Sequence, residues 1–122
     1  MNQAAANRTI LYAEDEAIIR FSLATRLRMD GWTVIEASSG EEALELAAAR
    51  PPDILLLDNR LPGLTGVEVH QILRERSFTI PAVLLTATVD PRNLIRSAGI
   101  AHVLSKPFDY PELRALLAEL LP

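Results

Sequence analysis

Asp58 closes a run of four apolar residues, Ile54 to Leu57, that follows Asp53. Such a run is too short for a helix and bulky enough for a strand buried on both faces. Asn59, Arg60, Leu61, Pro62 and Gly63 then read as a loop. A carboxylate at the carboxyl end of a central parallel strand lies where open α/β sheets bind ligands. Aspartate is also common in turns, so a cap at a strand end is the plainer alternative. Other short apolar runs end in polar groups as well. Ile10 to Ala13 stops at Glu14-Asp15-Glu16, Ala82 to Leu85 at Thr86, and Ala101 to Leu104 at Ser105-Lys106.

Taken singly, each of these residues has an ordinary explanation. Glu14, Asp15 and Glu16 suit a helix start, where the dipole favours acids. Thr86 is a common strand residue, and Lys106 reads as a solvated charge. Taken together at successive strand ends, they describe one site. Crowded carboxylates raise each other's pKa unless a cation compensates them. Oxygen-only ligands without histidine or cysteine suit Mg²⁺ or Mn²⁺. Lys106 and the Thr86 hydroxyl would then face an anionic ligand. A metal, an ammonium and a hydroxyl around one carboxylate make a phosphoryl-transfer site, with Asp58 as the nucleophile.

The elements that must position these residues alternate. Ile19, Leu23 and Leu27 recur at helical spacing before Gly31. Trp32 to Ala37 reads as a second strand. Ser39 with Glu42, Thr65 with Glu68 and Asp109 with Glu112 are three capping boxes, each opening a helix. Asp90-Pro91 reads as an N-cap with proline at the first helical position, starting a helix that runs to Gly99. Leu113, Leu116, Leu117, Leu120 and Leu121 form the stripe of the last helix. Strand and helix therefore alternate five times, which argues a parallel sheet with helices on both faces. Right-handed crossovers put all five strand ends on one edge.

The 122 residues suit one domain, which we divide into a disordered tail over 1–8 and a folded unit over 9–122. The absence of cysteine excludes a disulfide scaffold and thiol chemistry. A net charge of −4 with no long basic run argues against direct nucleic-acid binding. No apolar segment approaches the roughly 20 residues of a membrane span, and no signal peptide is evident. A cytoplasmic protein is the expectation.

The chain resembles a response-regulator receiver domain, the phosphoacceptor module of two-component signalling, from about Arg8 to Leu121. The resemblance is carried by Ile10-Leu-Tyr-Ala-Glu-Asp-Glu16, by Asp53 to Gly66, by Leu85-Thr-Ala87 and by Ser105-Lys-Pro-Phe108. It implies a flavodoxin-like (βα)5 fold with strand order 2-1-3-4-5. It implies that Asp58 accepts a phosphoryl group from the phosphohistidine of a histidine kinase or phosphotransfer protein. Asp15, Asp58 and the Arg60 backbone carbonyl would bind Mg²⁺, with Glu14 supporting the metal. Thr86 and Lys106 would contact the phosphoryl oxygens, and the Lys106–Pro107 bond would be cis. Such a domain is a switch rather than an enzyme, turning over only its own phosphoryl group.

Three features shade this reading. Val103 stands where the family often carries tyrosine or phenylalanine, so a swinging ring is not available; the loop over 87–91 is expected to move instead. Arg60 either overhangs the site or is a solvated loop arginine. His70 and His102 have no partners at metal spacing and read as structural or surface residues. A stand-alone receiver is expected, because the last stripe ends one residue before the terminus, with output through a downstream effector protein. A dimer through the face of the fourth helix, fifth strand and fifth helix is a further expectation. The rivals are a small phosphatase with an aspartyl nucleophile and a binding module that works without phosphorylation. Arg60 speaks against the first, since a second aspartate is wanted there; the full set of acids and lysine speaks against the second.

Overall fold

The apolar runs become the strands of one sheet. The computed structural model describes residues 8–87, 92–93, 96 and 99–121. Its strands are β1 (Thr9–Ala13), β2 (Thr33–Ala37), β3 (Ile54–Asp58), β4 (Ala82–Thr86) and β5 (His102–Ser105). All pairings are parallel, in the order β2-β1-β3-β4-β5. The described helices are α1 (Ala17–Met29), α2 (Gly40–Ala49), α3 (Gly66–Glu75) and α4 (Tyr110–Leu120). This is the doubly wound, flavodoxin-like arrangement. Of the helix expected from Asp90 to Gly99, Arg92, Asn93 and Arg96 are helical. Its residues 90–91, 94–95 and 97–98 lie outside the described residues, as do residues 1–7 of the expected tail.

β3 shows why a short apolar run suffices for a central strand. Side chains alternate across a sheet. Leu55 and Leu57 enter one core with Leu11, Ala13 and Leu84, under Ala43 and Ala47 of α2 and Val69 and Leu73 of α3. Ile54 and Leu56 enter the other with Ile10, Tyr12 and Leu85, under Ala24 and Leu27 of α1 and Leu113 and Leu117 of α4. All five β3 residues are buried. Each fully buried leucine side chain contributes about 1.5–3 kcal/mol.

Two capping boxes form as read. Thr65 with Glu68, and Asp109 with Glu112, exchange side-chain and backbone bonds in both directions. The third is corrected. Ser39 accepts from the Glu42 amide, but the Glu42 carboxylate accepts from the Ser38 amide at 2.7 Å. It also meets the Ser38 hydroxyl, so two donors one residue earlier hold it. The α1 stripe is corrected too. Leu27 is buried, yet Ile19 is exposed and Ala24 takes a core place. Ile18, Phe21 and Met29 are also exposed, so the apolar residues of α1 run around the helix rather than along one face. No helix among the described residues is long and apolar enough to cross a membrane.

Candidate functional site

The parallel register brings the strand ends to one edge. Asp58, the last residue of β3, pairs with Leu85 of β4, and Thr86 pairs with Ser105 of β5. The chain leaves β3 held by the Asn59 amide on the Leu85 carbonyl at 2.9 Å. The Arg60 amide then donates to Asp58 Oδ1 at 2.9 Å, which turns the loop back over the carboxylate. The Thr86 carbonyl accepts from the Lys106 amide at 2.8 Å, so the end of β4 fixes the start of the next loop. The Lys106–Pro107 bond that follows is cis.

Asp58 is 3% exposed. The Lys106 ammonium lies on its Oδ2, and Glu14 Oε1 is 3.8 Å from the same nitrogen. A buried carboxylate next to a partly exposed lysine is a compensated charge; without the lysine it would be a costly one. Thr86 is buried beside them, at the end of β4.

Glu14 is also 3% exposed. Its amide donates to the Ala37 carbonyl at 3.0 Å, and its carbonyl accepts from Arg20 Nη1 at 2.7 Å. Its Oε2 accepts from the Glu16 amide at 3.0 Å. Burial pushes its carboxyl up to about 7, and the neighbouring Asp58 and Asp15 carboxylates add to the rise. Asp15 is exposed beside it. Below the acids, the Tyr12 phenol is pushed well above its usual range, first by burial and then by the Glu14 and Asp58 charges.

The structure therefore brings Glu14, Asp58 and Lys106 into contact, with Asp15 and Thr86 at the same edge. Arg60 is exposed in the loop beside them, and the loop expected to move after Thr86 lies outside the described residues at 88–91. His70 is buried in α3, and His102 is half-buried in β5; neither reaches the acids. Val103 packs against the α2–α3 core from β5.

The donor set is carboxylate oxygens, which fits a hard divalent cation. Among the described residues, no three acids or histidines stand grouped at metal-ligand spacing. With Asp58 turned onto Lys106, the ammonium supplies the compensating charge.

Three contributing residues were not singled out by sequence reasoning. Arg20 bridges the Glu14 carbonyl and the Glu36 carboxylate, which also meets Arg28. Glu41 lies against the loop after Asp58. Asn59 carries a buried side-chain oxygen with no hydrogen-bond partner. Only tertiary contacts reveal these roles; the sequence shows them as charges on helix surfaces and an amide in a turn.

Comparison with known proteins agrees with this geometry. The sequence pattern described as response regulator receiver domain matches residues 10–118. The chain is 39% identical over 114 residues to the transcriptional regulatory protein PdtaR of Mycobacterium tuberculosis, covering 90% of this chain and 55% of that protein. It is 37% identical over 118 residues to the phosphate regulon transcriptional regulatory protein PhoB of Pseudomonas aeruginosa, covering 93% and 52%. The chain thus spans about half the length of these curated relatives. A Francisella response-regulator receiver domain superposes with a TM-score of 0.87 at 27% identity, covering 94% of this chain and 97% of that one. Thermotoga maritima TrrA, solved in complex with Mg(2+)-BeF, superposes at 0.84 with 32% identity, covering 93% and 99%. A sheet of this order, an acid at the end of its central strand and a match along nearly the whole chain converge: the protein belongs to the response-regulator receiver domain family.

Proposed function

We propose that Asp58 is the phosphoacceptor of a cytoplasmic signalling switch. The donor is the phosphohistidine of a histidine kinase or phosphotransfer protein. The observation that carries this is the buried Asp58 carboxylate at the end of β3 with the Lys106 ammonium on it.

An Asp58 oxygen attacks the phosphorus, the phosphorus–nitrogen bond of the donor breaks, and the histidine nitrogen leaves with the electron pair. The product is an aspartyl phosphate. Asp15, Asp58 and the Arg60 backbone carbonyl would hold Mg²⁺ or Mn²⁺, with Glu14 supporting it. When bound, the metal would supply positive charge to offset the phosphoryl oxygens and the acids. Lys106 leaves the bare Asp58 carboxylate and follows the new negative charge, acting as a point cation. Thr86 offers its hydroxyl from the end of β4. The Arg60 amide stays on the Asp58 carboxyl and keeps it aimed. Output passes to an effector protein that reads the modified surface.

Incubation with Mg²⁺ and a small acyl phosphate tests the assignment by intact mass. The expected result is one added phosphate on the wild type, labile in base, and none on Asp58→Asn. A phosphate on Asp58→Asn overturns it, and so does continuous turnover of a generic phosphate ester.

A further inference from the structure

We propose that Glu41, from the first turn of α2, is a positioning residue for the loop whose Arg60 carbonyl would face the metal. This rests on the reading of Arg60 as a backbone ligand. Glu41 Oε1 accepts from the Leu64 amide at 3.1 Å. Gly63 has a φ of +73, and a Cβ on it would sit 2.2 Å from both Glu41 carboxylate oxygens. The carboxylate therefore lies directly on the Gly63 backbone, which a side chain there would displace.

The contact is seconded by the neighbouring glycine. The Gly40 amide donates to the Pro62 carbonyl at 3.4 Å, and a Cβ on Gly40 would lie 2.0 Å from the Leu64 carbonyl oxygen. On its other side the loop closes on the acceptor, since a Cβ on Gly66 would lie 2.7 Å from the Asp58 carbonyl oxygen. The Arg60 amide is tied to Asp58 itself. Residues 60–64 are thus fastened to the acceptor at one end and to α2 at the other. Glu41 holds this backbone from the α2 side through its bond with the Leu64 amide. Free of it, the turn at Gly63 can swing and carry the Arg60 carbonyl away from the acids. Backbone ligands bind well only when their geometry is set in advance.

The test is Mg²⁺ titration of the intact protein by calorimetry, with amide spectra recorded alongside. Glu41→Ala is expected to weaken Mg²⁺ affinity by roughly fivefold, the scale of one hydrogen bond. The Leu64 amide resonance should shift in the metal-free protein. Glu41→Gln keeps an acceptor oxygen without the charge, and should restore both affinity and resonance. A glutamine variant that binds as weakly as alanine would mean that charge acts and not the latch, which overturns the proposal. A lower melting temperature with unchanged Mg²⁺ affinity in Glu41→Ala overturns it too, by leaving Glu41 a structural role alone. Failure of the wild type to bind Mg²⁺ at all overturns the metal reading itself, and the proposal with it.

Discussion

Lys106 meets two buried acids at the ends of different strands: its ammonium lies on Asp58, the last residue of β3, and stands 3.8 Å from Glu14 just after β1. Its own side chain is 34% exposed, so water shares in holding the charge. Lys106→Ala leaves Asp58 and Glu14 facing each other without a cation. The variant is expected to gain more melting temperature from Mg²⁺ than the wild type does. It should still take phosphate at Asp58 while losing the phosphorylation-induced NMR shifts along β4 and β5. Identical shifts in variant and wild type would refute a role for Lys106 in reading the phosphoryl group.

Mg²⁺ should stabilise the native state by mass action, about 1.4 kcal/mol at ten times its dissociation constant. Asp15 is exposed beside Glu14, whose carboxyl is raised first by burial and further by its side-chain contacts with Asp58 and Asp15. Asp15→Ala is therefore expected to abolish the Mg²⁺ response and to leave metal-free stability equal or higher. Thermal melts with and without millimolar Mg²⁺ decide this, and a response of wild-type size in the variant would count against it.

Arg20 holds the Glu14 carbonyl at 2.7 Å and Glu36 at 3.3 Å, with its side chain 19% exposed. Arg20→Met keeps the aliphatic stem and removes both contacts. A loss of about 2 kcal/mol in urea unfolding is expected, the range for hydrogen bonds to charged groups. Arg20→Lys should recover only part of it, because one ammonium nitrogen replaces the separate Nε and Nη1 that now serve Glu36 and the Glu14 carbonyl. Full recovery by lysine would show that charge alone is at work.

His70 is buried in α3 with Nδ1 unpartnered, and burial, followed by the Arg74 charge, lowers its pKa from the usual 6.5. The unfolded chain therefore binds this proton more readily than the native one. The stability that neutral His70 contributes is complete above the unfolded value of about 6.5 and is lost as pH falls below it. Urea midpoints should drop more between pH 7.5 and 5.5 for the wild type than for His70→Leu. Equal drops in the two proteins would place the acid sensitivity elsewhere.

The sheet was legible because its strands are buried on both faces. Ile54 to Leu57 leave no polar position to confuse the period, and each run stops at a polar residue that then appears at the sheet edge. Thr65–Glu68 and Asp109–Glu112 were legible because their bonds are local. Ser39–Glu42 was half legible, since nothing in the spacing shows that Ser38 offers an amide and a hydroxyl together. The face of α1 was not legible, because apolar residues at Ile18, Ile19, Phe21 and Leu23 surround the helix and periodicity cannot choose among them. Asp58 and Lys106 could be paired only by assuming the crossover topology. Arg20 and Glu41 act through contacts with Glu36 and Leu64 that no local pattern announces.

The span between the two halves of that pair has a consequence for how the protein is made. Asp58 and Lys106 are 48 positions apart, and Lys106 reaches its place only when β5 has joined the edge of the sheet through β4. Contacts so distant in sequence form late and slowly, since the intervening chain must first be closed into a loop. A nascent chain that has completed β3 already exposes an acidic strand end, but no ammonium to balance it. The charge at this strand end is thus balanced by Lys106 only once the last strand has docked, so the pair reports that the whole sheet is assembled.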